Sequence, residues 1–299
     1  MMINKENIFL TILQDPEISY KQDLLIAGLK SLSLFIREAT SKDITVPDDV
    51  TKLFPYALFM TLTNTNFEGE HHNKCLQKVV ESISTVKTLI ANKAGSTVKD
   101  VIIPNKYASW DLTWDKERVS LARRKKEQGE TITGLLEMIV YGLKGLSAYA
   151  YHAIHLGVIP KPIFSIANLL SFVADAEEAL CSENEVQKQQ GPDASVVMEQ
   201  LLFLGRRCYE TMRALDRANT DTYGDPLPTT VHWGPKEGKC ILVSGHDLRD
   251  LYDLLKQTAD SGINVYTHGE MLPAHGYPVL HAFPDIAGHF GSAWQNQLK

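Results

Sequence analysis

Cysteine is scarce in this chain. Cys75, Cys181, Cys208 and Cys240 are the only four among 299 residues, they lie far apart, and none forms a CxxC pair. That spacing excludes a zinc ribbon, a local iron–sulfur motif and a disulfide framework. Each thiol is expected to be a small buried apolar side chain in a reducing compartment. Long apolar runs are missing as well: the strongest, 135–159, is broken by Glu137 and Lys144, short of the ~18 uninterrupted residues of a membrane span. Residues 1–13 carry Lys5 and Glu6 ahead of a short apolar stretch and no small-residue cleavage pattern, so the expected location is cytoplasmic, with no membrane partner. Positive charge is not in excess, since 30 Lys and Arg face 36 Asp and Glu for a net −6, which argues against a nucleic-acid partner. The dense basic patch Arg123-Arg124-Lys125-Lys126 is expected to be a solvated helix face. GxGxxG, GxxxxGK[ST] and GxSxG are all absent, which counts against a nucleotide cradle at Gly245-His246-Asp247 and against Ser244 as a nucleophile.

What the chain does have is enough apolar residue, 44% against 22% charged, for a substantial core and two domains. From Glu17 to about Thr222, apolar residues recur every three or four positions, the period of amphipathic helices. Leu24, Leu25, Leu29, Leu32 and Ile36 form one stripe; Leu136, Ile139, Val140, Leu143, Leu146 and Tyr149 form another. Placing Leu24 over Met138 matches Gly28 with Gly142, Leu29 with Leu143, Lys30 with Lys144, Leu32 with Leu146 and Ser33 with Ser147, which suggests two related bundles in tandem. Residues 92–115 read as a long connection and 182–194 as a polar break, after which Pro192 precedes a helix from about Ala194 to Asn219. Trp110 and Trp114, and Tyr149 and Tyr151, read as core or interface packing, and His71-His72 as an exposed loop pair.

The grammar changes after Tyr223. Cys240-Ile241-Leu242-Val243-Ser244 suits a strand buried on both faces. Asp247 is a good N-cap for a helix bearing Leu248, Leu251, Leu254 and Leu255, which Ser261-Gly262 ends; Ile263-Asn264-Val265-Tyr266-Thr267 follows as a second strand. A third strand is expected at 286–290. A βαβ crossover makes its strands parallel, so His246 and Glu270, just past the two strand ends, are expected to approach at the carboxyl edge where open α/β sheets place ligands. The segment 267–278 adds His268 and His275. Imidazole and carboxylate together suit iron or zinc. The bland alternative is that the histidines bond backbone carbonyls and Glu270 caps a turn.

Several runs resemble the hybrid cluster protein family, also called prismane proteins or hydroxylamine reductases. They are Ile241-Leu242-Val243-Ser244-Gly245-His246-Asp247-Leu248, Leu254-Leu255-Lys256-Gln257-Thr258, Val265-Tyr266-Thr267-His268-Gly269-Glu270-Met271-Leu272-Pro273-Ala274-His275 and Gly291-Ser292-Ala293-Trp294-Gln295. Leu215-Asp216-Arg217-Ala218-Asn219-Thr220-Asp221-Thr222-Tyr223-Gly224 and Thr61-Leu62-Thr63-Asn64-Thr65-Asn66-Phe67 match as well. The likeness covers nearly the whole chain. It implies a helical domain of two three-helix bundles followed by α/β domains, an iron–sulfur–oxygen hybrid cluster, and a conventional cubane near the N-terminus. In the matching motifs the histidine and the glutamate that ligate hybrid-cluster iron fall at His246 and Glu270, with His268 and His275 as outer supports.

The departures are equally specific. The cubane's cysteine motif belongs just before Gln14-Asp15-Pro16-Glu17, yet 1–13 holds no cysteine, so the cubane is expected to be absent. The cluster thiolates of the family fall beyond residue 299, and the four cysteines present stand where the family has no ligand.

The resulting expectation is a mainly α fold plus α/β. A helical domain occupies 1–222, with bundles at about 14–95 and 130–222, and an incomplete parallel Rossmann-like sheet occupies 223–299. The expected function is a hydroxylamine reductase-like oxidoreductase, or a truncated or split part of one, reducing hydroxylamine or nitric oxide. The alternatives are a non-catalytic remnant or interaction module, and a mononuclear metal protein using His246, Glu270 and a nearby histidine. An exposed sheet edge favours a cysteine-bearing partner chain or a homo-oligomer. No electron donor is indicated.

Overall fold

The computed structural model describes residues 16–62, 66–181 and 191–292. The cysteine-free start at 1–13, the break at 182–190 and parts of two matched runs, Thr63-Asn64-Thr65 and Ala293-Trp294-Gln295, lie outside the described residues. The described residues form two compact units, one from 16–151 and 160–212, the other from 152–159 and 213–292.

The first unit is helical. It contains α1 (Pro16–Ser41), α2 (Asp48–Met60) and α3 (Gly69–Ala94), then the short α4 (Leu121–Gln128), then α5 (Glu130–His155), α6 (Phe164–Cys181) and α7 (Ala194–Tyr223), of which α5 and α7 pass their last turns to the second unit. The stripe Leu24, Leu25, Leu29, Leu32 and Ile36 is buried, but so are Ile26, Ala27, Leu34 and Phe35 on the other side. A helix enclosed all round is a core helix, and α1 packs against α2, α3, α6 and the turn Lys106–Ser109. One continuous core takes side chains from both helix trios. The matched glycines share a job: a Cβ on Gly28 would sit 2.6 Å from the Trp110 ring, and one on Gly142 2.6 Å from the end of Leu204. Each stripe therefore leaves a gap for a neighbouring side chain.

A buried ionic network crosses this core. Lys30 Nζ on α1 donates to both carboxylate oxygens of Glu177 on α6, each at 2.9 Å. Arg124 on α4 donates to Glu177 at 3.3 Å and to Glu137 on α5 at 2.6 Å, and the Tyr107 hydroxyl donates to Glu177 as well. Burial alone would push the Glu177 carboxyl up, but Lys30, Arg124 and Tyr107 outweigh it and hold it down at about 2. Burial also pulls Lys30 down, and Glu177 opposes that pull. Glu177 alone faces two cations and a phenol, so the ionised carboxylate is the fixed point of the cluster.

Several expectations fail here. Arg124 does not lie on a solvated face, because α4 turns Arg124 and Gln128, one helical turn apart, into the interior. His71-His72 belong to α3 rather than a loop: His72 joins Cys75, Leu76 and Val79 on the buried stripe, its Nδ1 donating to the Glu68 carbonyl at 3.1 Å. The connection 92–115 contains short 3-10 turns at Val98–Asp100 and Lys106–Ser109, and its Trp110 and Trp114 are packed in the core as expected, with Tyr107 beside them.

The second unit contains β1 (Cys240–Ser244), α8 (Leu248–Thr258), β2 (Asn264–His268) and β3 (Ile286–Phe290). All three strands are parallel, in the order β1-β2-β3. Asp247 caps α8, accepting from the Arg249 amide at 2.8 Å, and Leu248, Leu251 and Leu255 are buried, each worth about 1.5–3 kcal/mol. Tyr223, at the end of α7, joins them in this core, so α7 runs past Asn219. α8 ends at Thr258, ahead of Ser261-Gly262. β1 is not buried on both faces: it is an edge strand, Cys240 is exposed and Leu242 is 52% exposed, while β2, between two neighbours, is the enclosed strand. The His289 amide of β3 donates to the His232 carbonyl at 3.0 Å, so a loop already covers part of the opposite edge. Among the described residues no helix is long and apolar enough to cross a membrane.

Two outcomes follow for the helical unit. Gly28→Ala will lower stability by about 1–3 kcal/mol, because the Trp110 ring cannot step aside, and Gly142→Ala by less, because Leu204 can rotate; urea midpoints compare them. Folding keeps Glu177 ionised, so its contribution is complete above its ordinary 4.5 and is lost as the pH falls toward about 2. Unfolding of Glu177→Ala, about 3–5 kcal/mol weaker near neutrality, will show a shallower acid slope in that window.

Candidate metal centre

The site begins with strand register. β1 and β2 pair with a constant offset, from Cys240 opposite Asn264 to Ser244 opposite His268. His246 and Glu270 each stand two residues beyond that last pair, so the offset that aligns the strands also aligns them. Ser244 Oγ and His268 Nδ1, 3.0 Å apart, lace the final register pair together. Gly245 (φ 148°) and Gly269 (φ 56°) then turn the two chains off the sheet directly before the site residues. Both lie in backbone territory where a side chain is strained, which is why glycine precedes each.

His246 Nε2 and Glu270 Oε2 meet. Their side chains are 55% and 59% exposed, so the pair opens to solvent. An imidazole nitrogen facing a carboxylate oxygen is a hydrogen bond when the ring carries the proton, and a pair of ligands for one cation when it does not. His268 closes β2 and His275 sits in the 3-10 turn that follows it (Gly269–Gly276), and both are buried. The His268 ring is buried against Ser244. His275 Nε2 lies 2.7 Å from Thr267 Oγ1, which also lies 2.9 Å from His289 Nδ1. One hydroxyl proton serves one ring only, so Thr267 donates to one histidine and accepts from the other. Burial, with His289 and His281 adding repulsion, lowers His275 to about 4 and keeps it neutral.

Sulfur is not gathered at this point among the described residues. Cys240 opens β1, at the strand end away from His246, and Cys75, Cys181 and Cys208 belong to the helical unit. Burial pushes the Cys75 thiol up to about 12, far from a thiolate ligand. The donor set at the sheet edge therefore fits two positions on an iron ion and does not fit the thiolate shell of an iron–sulfur cluster.

The sequence pattern singled out His246, Glu270, His268 and His275 and passed over the unit's other histidines, among them His289, His152 and His155. His289 is buried on β3, and its alternation with the inward Ala287 was the available signal. His152 and His155, one turn apart at the end of α5, lie beside Asp247. Their i, i+3 spacing was legible, just past the stripe that ends at Tyr149.

A helical unit joined to a parallel α/β unit, with an imidazole and a carboxylate at the sheet's carboxyl edge, is the class of protein this structure defines. The family model described as the Prismane/CO dehydrogenase family matches residues 14–299. The hydroxylamine reductase of Zymomonas mobilis subsp. mobilis is 38% identical over 295 residues, covering 95% of this chain and 50% of the relative. That of Acidiphilium cryptum is 40% identical over 294 residues (92% and 48%), and that of Rhodobacter capsulatus 40% over 282 residues (94% and 49%). The chain belongs to the prismane/CO dehydrogenase family, and it spans about half the length of the curated relatives it matches.

Neutral, buried His275 sets a pH dependence for the α/β unit. Folding favours the unprotonated ring, so its contribution is intact above the ordinary 6.5 and is lost as the pH falls toward about 4. Amide exchange of β2 will accelerate across that window, and His275→Gln will flatten the change.

Proposed function

We propose that this chain supplies the imidazole and carboxylate ligands of an iron centre that reduces hydroxylamine, and that the sulfur ligands come from outside the 299 residues. The observation that carries the reading is the convergence of His246 and Glu270 from two different strand ends, with donor atoms turned toward each other. The names of the relatives supply the reaction, and their extra length supplies room for the missing thiolates. An iron–sulfur–oxygen cluster, when bound, would relay an electron pair from an external reductant and act as a Lewis acid, so that the N–O bond breaks with uptake of protons to give ammonia and water.

The chain's own part is positional. Ser244 and His268 keep the two strand ends in register, and Gly245 and Gly269 aim the ligands off the sheet. His246 must present a neutral Nε2 to serve as a ligand, and Glu270 an ionised carboxylate. The solvent-open face of the pair leaves space for further ligands and a small substrate.

The test is co-expression with a cysteine-bearing chain corresponding to the part of the relatives that this chain does not span, followed by reconstitution with iron and sulfide and an assay in which a chemical reductant such as reduced viologen supplies the electrons. The expected product is a coloured complex that consumes hydroxylamine, with His246→Ala and Glu270→Gln each lowering iron content and turnover by about 10–100-fold or more. A stable but colourless, iron-free complex, or variants that match the parent, would overturn the assignment and leave a non-catalytic interaction module as the reading.

A further inference from the structure

A second group of donor atoms lies in the same α/β unit. A ring nitrogen of His155 and carboxylate oxygens of Asp247 and Asp250 all fall within 4.8 Å of one another. We propose that His155, Asp247 and Asp250 bind a divalent transition-metal cation, at a site that shares no ligand with the His246/Glu270 pair and does not depend on the function proposed above.

The geometry comes from two helix ends. His152 and His155 occupy the last turn of α5, and Asp247 and Asp250 are the N-cap and third residue of α8. His155 Nδ1 is 3.4 Å from Asp247 Oδ2, a separation that two ligands of one cation adopt when each stands about 2.0–2.2 Å from it. His152 lies one turn back on α5, its side chain nine-tenths buried and its Nε2 4.0 Å from the same Asp247 oxygen.

The chemistry selects the class of ion. One or two imidazoles with two carboxylates suit Zn2+, Fe2+ or Mn2+, whereas thiolates would favour softer ions and an all-oxygen set Mg2+ or Ca2+. Three or four protein ligands leave coordination positions open. Charge points the same way: Asp247 and Asp250 are like charges on one helical turn. A divalent cation removes that repulsion. The competing arrangement is a protonated His155 paired with Asp247 and no metal.

The test uses the full chain stripped by chelator, carrying His246→Ala and Glu270→Gln so that the other pair cannot report. Titration with Zn2+ by calorimetry, with Co2+ absorption as a ligand-field readout, is expected to give one equivalent bound and no comparable Mg2+ binding. Asp250→Asn and His155→Ala in that background are each expected to weaken Zn2+ binding by about 100-fold or more and to abolish the Co2+ bands. Asp247 is left untouched because its loss would also uncap α8. Asp250 is on the surface and has no cap role, so Asp250→Asn, checked for native circular dichroism, decides the matter if His155→Ala does not fold. The proposal is overturned if the parent binds no Zn2+, if Mg2+ binds equally well, or if the folded Asp250→Asn variant binds Zn2+ as the parent does. Because the ligand pair of the first site is removed throughout, failure here leaves the iron assignment standing.

Discussion

The parallel pairing of β1 with β2 is the constraint on which the candidate centre depends. The β1–β2 ladder keeps one offset along its whole length, so whatever follows the two strands at equal distance arrives at the sheet edge together. His246 and Glu270 share the offset of Ser244 and His268, and the Ser244–His268 contact fixes that offset at its last step. A slip of one residue would carry the imidazole past the carboxylate and turn the inward face of the slipped strand outward. α8 reinforces the register because its capped start and three buried leucines hold the crossover against the sheet.

The helical unit solves a different problem. Its largely apolar core holds an ionic cluster around Glu177, to which three elements besides α6 supply donors. Burying an ion pair contributes little net stability over an apolar replacement, but removing one partner strands a charge. Such a cluster therefore acts as a constraint on which helix meets which. Lys30 on α1 finds Glu177 on α6, and Arg124 ties α4 to α5 and α6 through Glu137 and Glu177. The two helix trios share one core.

Family membership and the site's donor set pull in different directions, and the disagreement is informative. The match runs from residue 14 to 299, yet the chain covers half of each relative described. The sheet edge holds one imidazole and one carboxylate, with Cys240 at the far end of β1. Iron–sulfur chemistry needs sulfur donors to hold the metal and spread the transferred electrons. The two hard donors alone would favour iron or zinc in a simpler, water-rich coordination.

Much was written in local pattern. The three-and-four spacing of Leu24 to Ile36 determined that α1 is a helix, and the matched Gly28 and Gly142 marked two close approaches. The turn residues Gly245, Asp247 and Gly269 likewise determined where β1 and β2 release the chain and where α8 begins, because each acts on its own backbone. The pattern did not tell that β1 is an edge strand, that His72 and Arg124 face inward, or that His155 reaches Asp247. Those facts rest on which element becomes whose neighbour. An apolar five-residue run fits an edge strand as well as a central one, and a charge on a helix is buried only when distant residues such as Glu177 arrive to pair with it. Tertiary packing alone decided these, because burial and coordination are properties of residues far apart in the chain.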